Sequence, residues 1–187
     1  MAKWTREQIV AKVQDGVSFA GADLSETDLS YAMLKGADFR DAKLVNCTVQ
    51  NANLEGANFK GADLSNAFLF GSNLKEANFE GANLKGANLQ DTNLEKAKLK
   101  GLDLSGLSLF GAQLNQANLE GALLLGAKLK RASLVGTRLK DADLRNAHFQ
   151  RALLRDADLT GANLSGTNLK FADLTNVKGA NFKGSIQ

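Results

Sequence analysis

A leucine, phenylalanine or valine occupies every fifth position from Phe19 to Leu174, without exception. Two residues before each of them stands a small or modest side chain, most often alanine. Five residues on an α-helix advance about 500°, so these side chains would point in all directions around the helix. On a continuous strand, an odd spacing would send successive side chains to opposite faces. Neither regular structure can bury this pattern, so the backbone must turn within every repeat.

The unit Ala57-Asn58-Phe59-Lys60-Gly61 shows how the repeat can fold. We expect Ala57 and Phe59 to point inward, with Asn58 pointing outward between them, as in a short piece of strand. The last two residues then turn a corner of roughly 90°. Four such corners close a square coil of about 20 residues, and the next coil stacks about 4.8 Å above it. The sequence thus predicts an all-β chain folded as a quadrilateral β-helix.

The corner residues support this prediction. The last residue of a unit is glycine, asparagine or aspartate in 24 of 32 units, and these residues tolerate a positive φ. A type II turn requires that conformation at its second central position. Eight corners carry larger residues, and we expect some of these corners to use a different turn. The eight residues are Glu26, Tyr31, Glu76, Lys96, Gln116, Arg131, Arg151 and Phe171.

The organisation along the chain is that of one domain with a distinct segment at each end. Residues 1–16 are predicted to form a helical cap, because Thr5 and Gln8 have the spacing of a capping box ahead of a short helix over residues 6–14. Residues 17–176 supply the 32 units of the solenoid, which make about eight coils. Phe19, Phe39, Phe59 and Phe79 are 20 residues apart, so they should stack inside the solenoid.

The C-terminal segment, residues 177–187, departs from the five-residue rhythm. Position 179 should be apolar but is Gly179, and Phe182 follows eight residues after Leu174. The pattern predicts a three-residue insertion followed by one register-shifted unit, Ala180-Asn181-Phe182-Lys183-Gly184.

The cysteine content and hydropathy suggest a cytoplasmic protein. No 18-residue apolar stretch is present, so nothing in the sequence predicts a membrane span. The single Cys47 stands at the small inward position of its unit, where we expect a buried thiol. One thiol cannot form a disulfide within the chain, which suits a reducing compartment.

The sequence offers little for catalysis. Its one histidine, His148, stands at an outward position near cations such as Arg151 rather than near an orienting carboxylate. The outward aspartates lack the repeated pattern of a calcium ladder, and the glycines are evenly spaced corners rather than a phosphate-binding loop. We therefore expect no enzyme, no cofactor and no metal site, and an enzyme that depends on His148 remains the distant alternative.

Surface charge can be assigned to the four walls of the square coil. The walls that contain Arg40, Lys43, Gln50 and Glu55 carry net charges of 0, −2, +3 and −1, so the solenoid sums to zero. We call the +3 wall the aromatic-basic wall, and its acidic residues are only Asp28 and Asp91. The candidate interaction face on it comprises Tyr31, Phe68, Phe70, Phe110, Lys128, Lys130, Arg131, His148, Arg151 and Phe171.

Two interpretations of this wall are open. Aromatic residues and arginine are favoured in contact surfaces, which indicates a strip that binds a protein or, less expectedly, a nucleic acid. Scattered exposed apolar residues are also common on proteins without a binding role. We favour a protein partner and expect a monomer, with weak end-to-end or wall-to-wall association as the alternative. A second apolar spot, Leu123 and Leu125, lies on the adjacent wall.

Units such as Ala22-Asp23-Leu24-Ser25-Glu26 and Ala62-Asp63-Leu64-Ser65-Asn66 resemble the pentapeptide-repeat family, most closely its cyanobacterial members. The resemblance covers residues 17–176. It implies a right-handed quadrilateral β-helix and, for most members, no known biochemical activity. It also implies an alternative function, because a subset of the family acts as DNA mimics on type II topoisomerases.

Those DNA mimics have acidic surfaces, whereas this solenoid has no net charge. Duplex DNA carries one charge per about 1.7 Å, so a mimic of this length needs roughly 20 net negative charges. The favoured function is therefore a non-catalytic scaffold or protein-interaction module.

Overall fold

The computed structural model describes residues 4–187 and contains one α-helix among them, α1 (Arg6–Gln14). The capping box predicted from the sequence is present. The Thr5 hydroxyl accepts a hydrogen bond from the Gln8 N–H at 3.3 Å, and the Gln8 side chain accepts one from the Thr5 N–H at 3.0 Å. Ile9 is fully buried, so α1 covers the first coil. The expected cap over residues 1–16 also includes residues 1–3, which lie outside the described residues.

The rest of the chain pairs with itself in parallel bridges one residue wide. Every bridge but the last joins residues 20 positions apart, as in Asp23, Lys43 and Asp63. Two hydrogen bonds form the bridge between Asp23 and Lys43. The Lys43 N–H donates to the Ala22 carbonyl at 2.9 Å, and the Leu24 N–H donates to the Lys43 carbonyl at 2.8 Å. One turn of the solenoid therefore takes 20 residues, which is four five-residue sides.

The strand in each side of the coil is shorter than the sequence predicts. The expected pieces of strand are reduced to a single paired residue, such as Asn58 between Ala57 and Phe59, and no longer strand occurs in residues 4–187. The reason is the turn, which begins at the central residue of each unit. The Ala22 N–H donates to the Phe19 carbonyl at 3.0 Å and closes the turn immediately.

Every corner residue from Gly21 to Asn176 has a positive φ. The residue before each of them does not, and this is the φ pattern of a type II turn. The expectation that some of the eight larger corner residues adopt a different turn is therefore wrong. Glu26 has φ 59° and Phe171 has φ 61°, as asparagine and glycine corners do. The left-handed conformation costs such residues about 1–2 kcal/mol each, and the ladders on both sides impose it.

The interior is a column of apolar layers. The central residues from Phe19 to Leu169 are each at most 3 % exposed, whereas Leu174 in the last regular unit is only partly buried. The predicted phenylalanine stack is present, with successive ring centroids 6.0, 5.4 and 5.0 Å apart from Phe19 to Phe79. Trp4 meets the Phe19 ring edge-on at 5.5 Å and closes the stack at the N-terminal end.

Most polar side chains at the small inward positions donate to a carbonyl of the preceding coil, whereas Thr92 donates to the Leu89 carbonyl at 2.6 Å. Thr137 donates to the carbonyl of Leu114 and Thr167 to that of Leu144, in both cases 23 residues earlier. Cys47 is buried as predicted, and its thiol donates to the Leu24 carbonyl at 2.8 Å with the same spacing. The Thr27 hydroxyl is buried without a hydrogen-bond partner in the described part of the chain. The residue that lies 23 positions before it, Trp4, belongs to the cap and not to a coil.

The register changes at the C-terminal end. Lys178 still pairs with Asp158 at the 20-residue spacing, but Ile186 pairs with Asn168 at a spacing of 18. Residues 177–179 therefore form a unit shortened by two residues, and they lie in the coil rather than outside it as an insertion. Phe182 in the following unit packs partly buried against the core.

Candidate interaction wall

The structure places all ten candidate residues on one wall. Its backbone ladder runs through Thr48, Phe68, Asn88, Ser108 and Lys128 and continues to His148 and Asn168. The remaining candidates flank this ladder at the two positions that follow each central residue, where the chain turns the corner. The aromatic-basic wall thus exists as a continuous surface along the rod.

The ten residues do not form one cluster, however. Tyr31 lies beside α1 at the N-terminal end, where it lines a groove with Arg6 and Met33. Phe68 and Phe70 lie two coils further along, at 49 % and 37 % exposure. The structure brings the other seven together in consecutive coils nearer the C-terminal end. These are Phe110, Lys128, Lys130, Arg131, His148, Arg151 and Phe171.

Two arginines of the C-terminal group lie over phenylalanine rings. The Arg131 guanidinium is 5.8 Å from the centre of the Phe110 ring, and that of Arg151 is 5.9 Å from the centre of Phe171. Phe110 is half-buried, whereas Phe171 is 82 % exposed. Such cation–π contacts hold the guanidinium groups in place while leaving their N–H groups free to bind a partner.

An open cleft of about 460 Å³ lies beside these contacts. Its lining combines one aromatic ring, three basic side chains and three neutral polar side chains, namely Phe110, Lys128, Lys130, His148, Gln90, Ser108 and Gln150. The Oε1 atom of Gln150 is buried and has no hydrogen-bond partner in residues 4–187. The cleft therefore offers positive charge, an apolar surface and an unused acceptor.

The arginines of this wall differ from those elsewhere on the rod. Arg40, Arg145 and Arg155 each form an ion pair with an aspartate at 2.8 Å or less. The hydrogen bonds from Arg145 lower the pKa of Asp143 below its usual value. Within residues 4–187, by contrast, neither Arg131 nor Arg151 has an acidic side chain within ion-pair distance.

The arrangement around His148 does not resemble a catalytic site. Its ladder neighbours are Lys128 and Asn168, and neither can orient an imidazole as the carboxylate of a triad does. Across residues 4–187, no three histidine, cysteine, aspartate or glutamate side chains come close enough together to hold a metal ion. None of the described residues forms a helix with the length and hydrophobicity of a membrane span.

Sequence reasoning missed two surface features. One is the groove of about 480 Å³ beside α1, which Val10 and Met33 help to line. Its signal in the sequence was Met33, an apolar residue at an outward position that is 58 % exposed. The other is Leu153, which is 40 % exposed on the wall adjoining Arg151. The predicted apolar spot at Leu123 and Leu125 is exposed as expected.

The sequence matches two family models. The model described as "Pentapeptide repeat region" covers residues 42–119, and the model described as "Pentapeptide repeats (8 copies)" covers residues 15–46, 108–146 and 142–184. Both describe a structural repeat and not a catalytic domain. No curated protein matches the sequence.

Solved structures of pentapeptide-repeat proteins are similar to this chain. HetL, a protein involved in heterocyst differentiation regulation in the cyanobacterium Nostoc sp. strain PCC 7120, is 37 % identical with a TM-score of 0.53, over 88 % of this chain and 78 % of HetL. The Nostoc protein alr5209 is 33 % identical with a TM-score of 0.48, over 53 % of this chain and 83 % of its own. The plasmid-mediated fluoroquinolone resistance protein QnrB1 is 26 % identical with a TM-score of 0.45, over 89 % and 81 %.

The similarity to HetL and the repeat matches imply that the square coils wind as a right-handed quadrilateral β-helix. The handedness follows from these relatives, because the five-residue spacing alone is compatible with either hand.

Proposed function

The chain belongs to the pentapeptide-repeat family, close to its cyanobacterial members, and from this premise we propose that it is a non-catalytic scaffold that binds another protein through the aromatic-basic wall. One observation carries the proposal. Half-buried Phe110, exposed Phe171 and two arginines without acidic partners in the described residues lie on one wall, in consecutive coils from Phe110 to Phe171. Aromatic residues and arginine are the residue types that dominate binding energy at protein interfaces.

The form of the chain suits a scaffold. Each coil is hydrogen-bonded to the next along all four sides, so neighbouring side chains on a wall keep a fixed spacing of about 4.8 Å. We take the protein to be a cytoplasmic monomer with a rod of about eight coils. A partner that recognises such a wall meets a surface that needs no ordering before binding, which favours affinity.

Affinity capture from a cyanobacterial lysate tests the proposal. The immobilised wild-type protein is compared with a variant that carries Phe68→Ser, Phe70→Ser and Phe110→Ser. The matched control carries Leu123→Ser, Leu125→Ser and Leu153→Ser, which removes exposed apolar side chains from other walls. We expect the aromatic variant alone to lose a captured protein, while circular dichroism shows that all three proteins are folded. If capture and oligomeric state are the same for all three proteins, the aromatic-basic wall is not the binding surface.

The alternative function, a topoisomerase-binding DNA mimic, is tested by a gyrase supercoiling assay. The proposal predicts no inhibition and no protection from quinolones at low micromolar protein, because the four walls carry no net negative charge. Inhibition that persists in the aromatic variant would replace the scaffold proposal with the DNA-mimic function.

A further inference from the structure

The C-terminal half of the aromatic-basic wall is a concentrated positive surface. We call its six basic residues the basic strip: Lys128, Lys130, Arg131, His148, Arg151 and Lys170. They occupy three successive coils, and none of the outward residues on this wall from Ser108 to Phe171 is acidic. Like charges this close repel one another in the free protein, so the strip gains from a bound anion.

The chain has not neutralised this charge internally. Five of its seven arginines form ion pairs, as Arg138 does with Glu120 and Arg155 with Asp173. The two that do not are Arg131 and Arg151, and they are neighbours in adjacent coils about 4.8 Å apart. Their guanidinium groups lie over rings of the coils on either side, Phe110 and Phe171, so each is suited to binding a separate carboxylate along the wall.

The backbone at these positions is strained for the residues it carries. Arg131, Arg151 and Phe171 have φ values of 62°, 60° and 61° in the left-handed region. The same corner of other coils holds residues that adopt this conformation more easily, such as Asn51 and Gly71. The fold therefore does not require large side chains here. Strained residues of this kind point to a role outside folding.

The neighbouring cleft supplies the remaining features of a peptide site. Phe110 and Ser108 offer an apolar surface and a hydroxyl, and the buried Gln150 Oε1 atom is an acceptor without a donor. From the Phe110 coil to the Phe171 coil the distance is three coil spacings, about 14 Å, which four to five residues of extended peptide cover.

We propose that the basic strip binds an extended acidic segment of a protein partner, whose glutamate or aspartate carboxylates contact Arg131 and Arg151. This inference rests on the proposed function and names the chemistry of the partner. A nucleic acid fits less well, because Arg131 and Arg151 lie over the Phe110 and Phe171 rings on which bases would stack.

Fluorescence anisotropy tests this inference with the full chain. The probe is a fluorescein-labelled peptide of alternating glutamate and serine, about ten residues long, at about 50 mM NaCl. Matching probes replace glutamate by glutamine or consist of single-stranded oligo-dT. We expect the glutamate peptide to bind, the glutamine peptide to bind at least about tenfold more weakly, and oligo-dT to bind no more tightly than the glutamate peptide.

Two variants distinguish binding by the basic strip from a general effect of the protein's positive charge. Arg131→Asn with Arg151→Asn removes both guanidinium groups and places a residue already used at this corner, so we expect the melting temperature to stay the same or rise. This variant should bind the glutamate peptide at least about tenfold more weakly. Lys60→Gln with Lys98→Gln removes the same charge from another wall and should change binding by less than about twofold.

Absence of glutamate-peptide binding, or equal loss in both variants, would overturn the inference. Tighter binding of oligo-dT would replace it with a nucleic-acid site. The proposed function fails separately, in the lysate experiment. If the triple phenylalanine variant loses the captured protein but the double arginine variant retains it, the scaffold function stands and the acidic-segment inference does not.

Discussion

Two corners of the square coil have the same backbone conformation but very different residues. The first corner column, at residue 21 and every twentieth residue to 161, holds only glycine and aspartate. The third corner column, at residue 31 and every twentieth residue to 171, includes Tyr31, Arg131, Arg151 and Phe171. All of these residues have positive φ values, so the residues of both columns must adopt the left-handed conformation.

The difference shows that folding alone does not determine the third column. Two large residues in the fourth column, Glu76 and Lys96, form an ion pair with each other at 3.9 Å. Arg131 and Arg151 contact phenylalanine rings but have no acidic partner in the described part of the chain. Strain that no ion pair within the chain accompanies is expected for residues whose charges are used in external contacts.

The largest effect is expected in the interior beneath the two columns. Phe59 lies beneath the first column and stacks between Phe39 and Phe79, with ring centroids 5.4 and 5.0 Å away. Phe59→Ala should lower the free energy of unfolding by about 3–5 kcal/mol in chemical denaturation. Phe149 lies beneath the third column and is also fully buried, but it has no ring partner in residues 4–187. Phe149→Ala is therefore the control for the contribution of ring stacking. Losses below about 1 kcal/mol would contradict a tightly packed interior.

A smaller effect is expected when a third-column residue is placed in the first column. At Gly121 a new Cβ atom meets nothing within 4 Å, so Gly121→Arg introduces backbone strain without a clash. We expect a loss of about 1–2 kcal/mol by chemical denaturation and a smaller loss for Gly121→Asn. Equal stability of wild type and the arginine variant would remove the argument from strain.

The reverse change at the third column should be mildly stabilising. Arg131→Asn relieves the strain at φ 62° but loses the contact with Phe110, so the net gain in unfolding free energy is about 0.5 kcal/mol. Thermal and chemical denaturation both measure it. A loss of more than about 1 kcal/mol would show that Arg131 serves folding rather than binding.

The smallest effect concerns pH, and it contrasts a paired arginine with an unpaired one. Hydrogen bonds from Thr175 and then Arg155 lower the pKa of Asp173 to about 2, from an ordinary value of 3.8. Because the folded-state pKa is depressed, the associated stability is present above pH 3.8 and is lost as the pH falls toward 2.

Asp173→Asn should therefore flatten the fall in melting temperature over this acidic range. Arg151→Gln should leave it unchanged, since Arg151 has no acidic partner in the described residues. Identical pH profiles of Asp173→Asn and wild type would mean that the Arg155–Asp173 pair adds nothing to stability.

Much of the fold could be predicted from residue spacing. The stacking of Phe19 on Phe39 followed from their separation of 20 residues, and the helix start followed from Thr5 and Gln8. The eight large corner residues were predicted wrongly in part, because local preference argues against positive φ at Glu26 or Phe171. The ladders on either side of a corner outweigh that preference, since two hydrogen-bonded coils impose one backbone path.

The candidate wall could be predicted only as a set of residues. Their membership follows from counting by 20, but the division into a Tyr31 groove and a C-terminal cluster depends on α1 and on which side chains meet across coils. Arg131 is a corner residue, whereas Phe110 precedes a corner of the neighbouring coil. Counting by 20 therefore does not predict their contact.

The sequence alone determined the five-residue side, the 20-residue coil and the identity of the buried column, because a period of five permits only a backbone that turns in every unit. Tertiary structure decided the uniform turn type, the unit shortened by two residues near Lys178, and the pairing of Arg151 with Phe171. These features arise where coils touch. Hydrogen bonds and side-chain contacts between stacked coils join residues that are far apart in the sequence, so the local sequence of one does not specify its contact with the other.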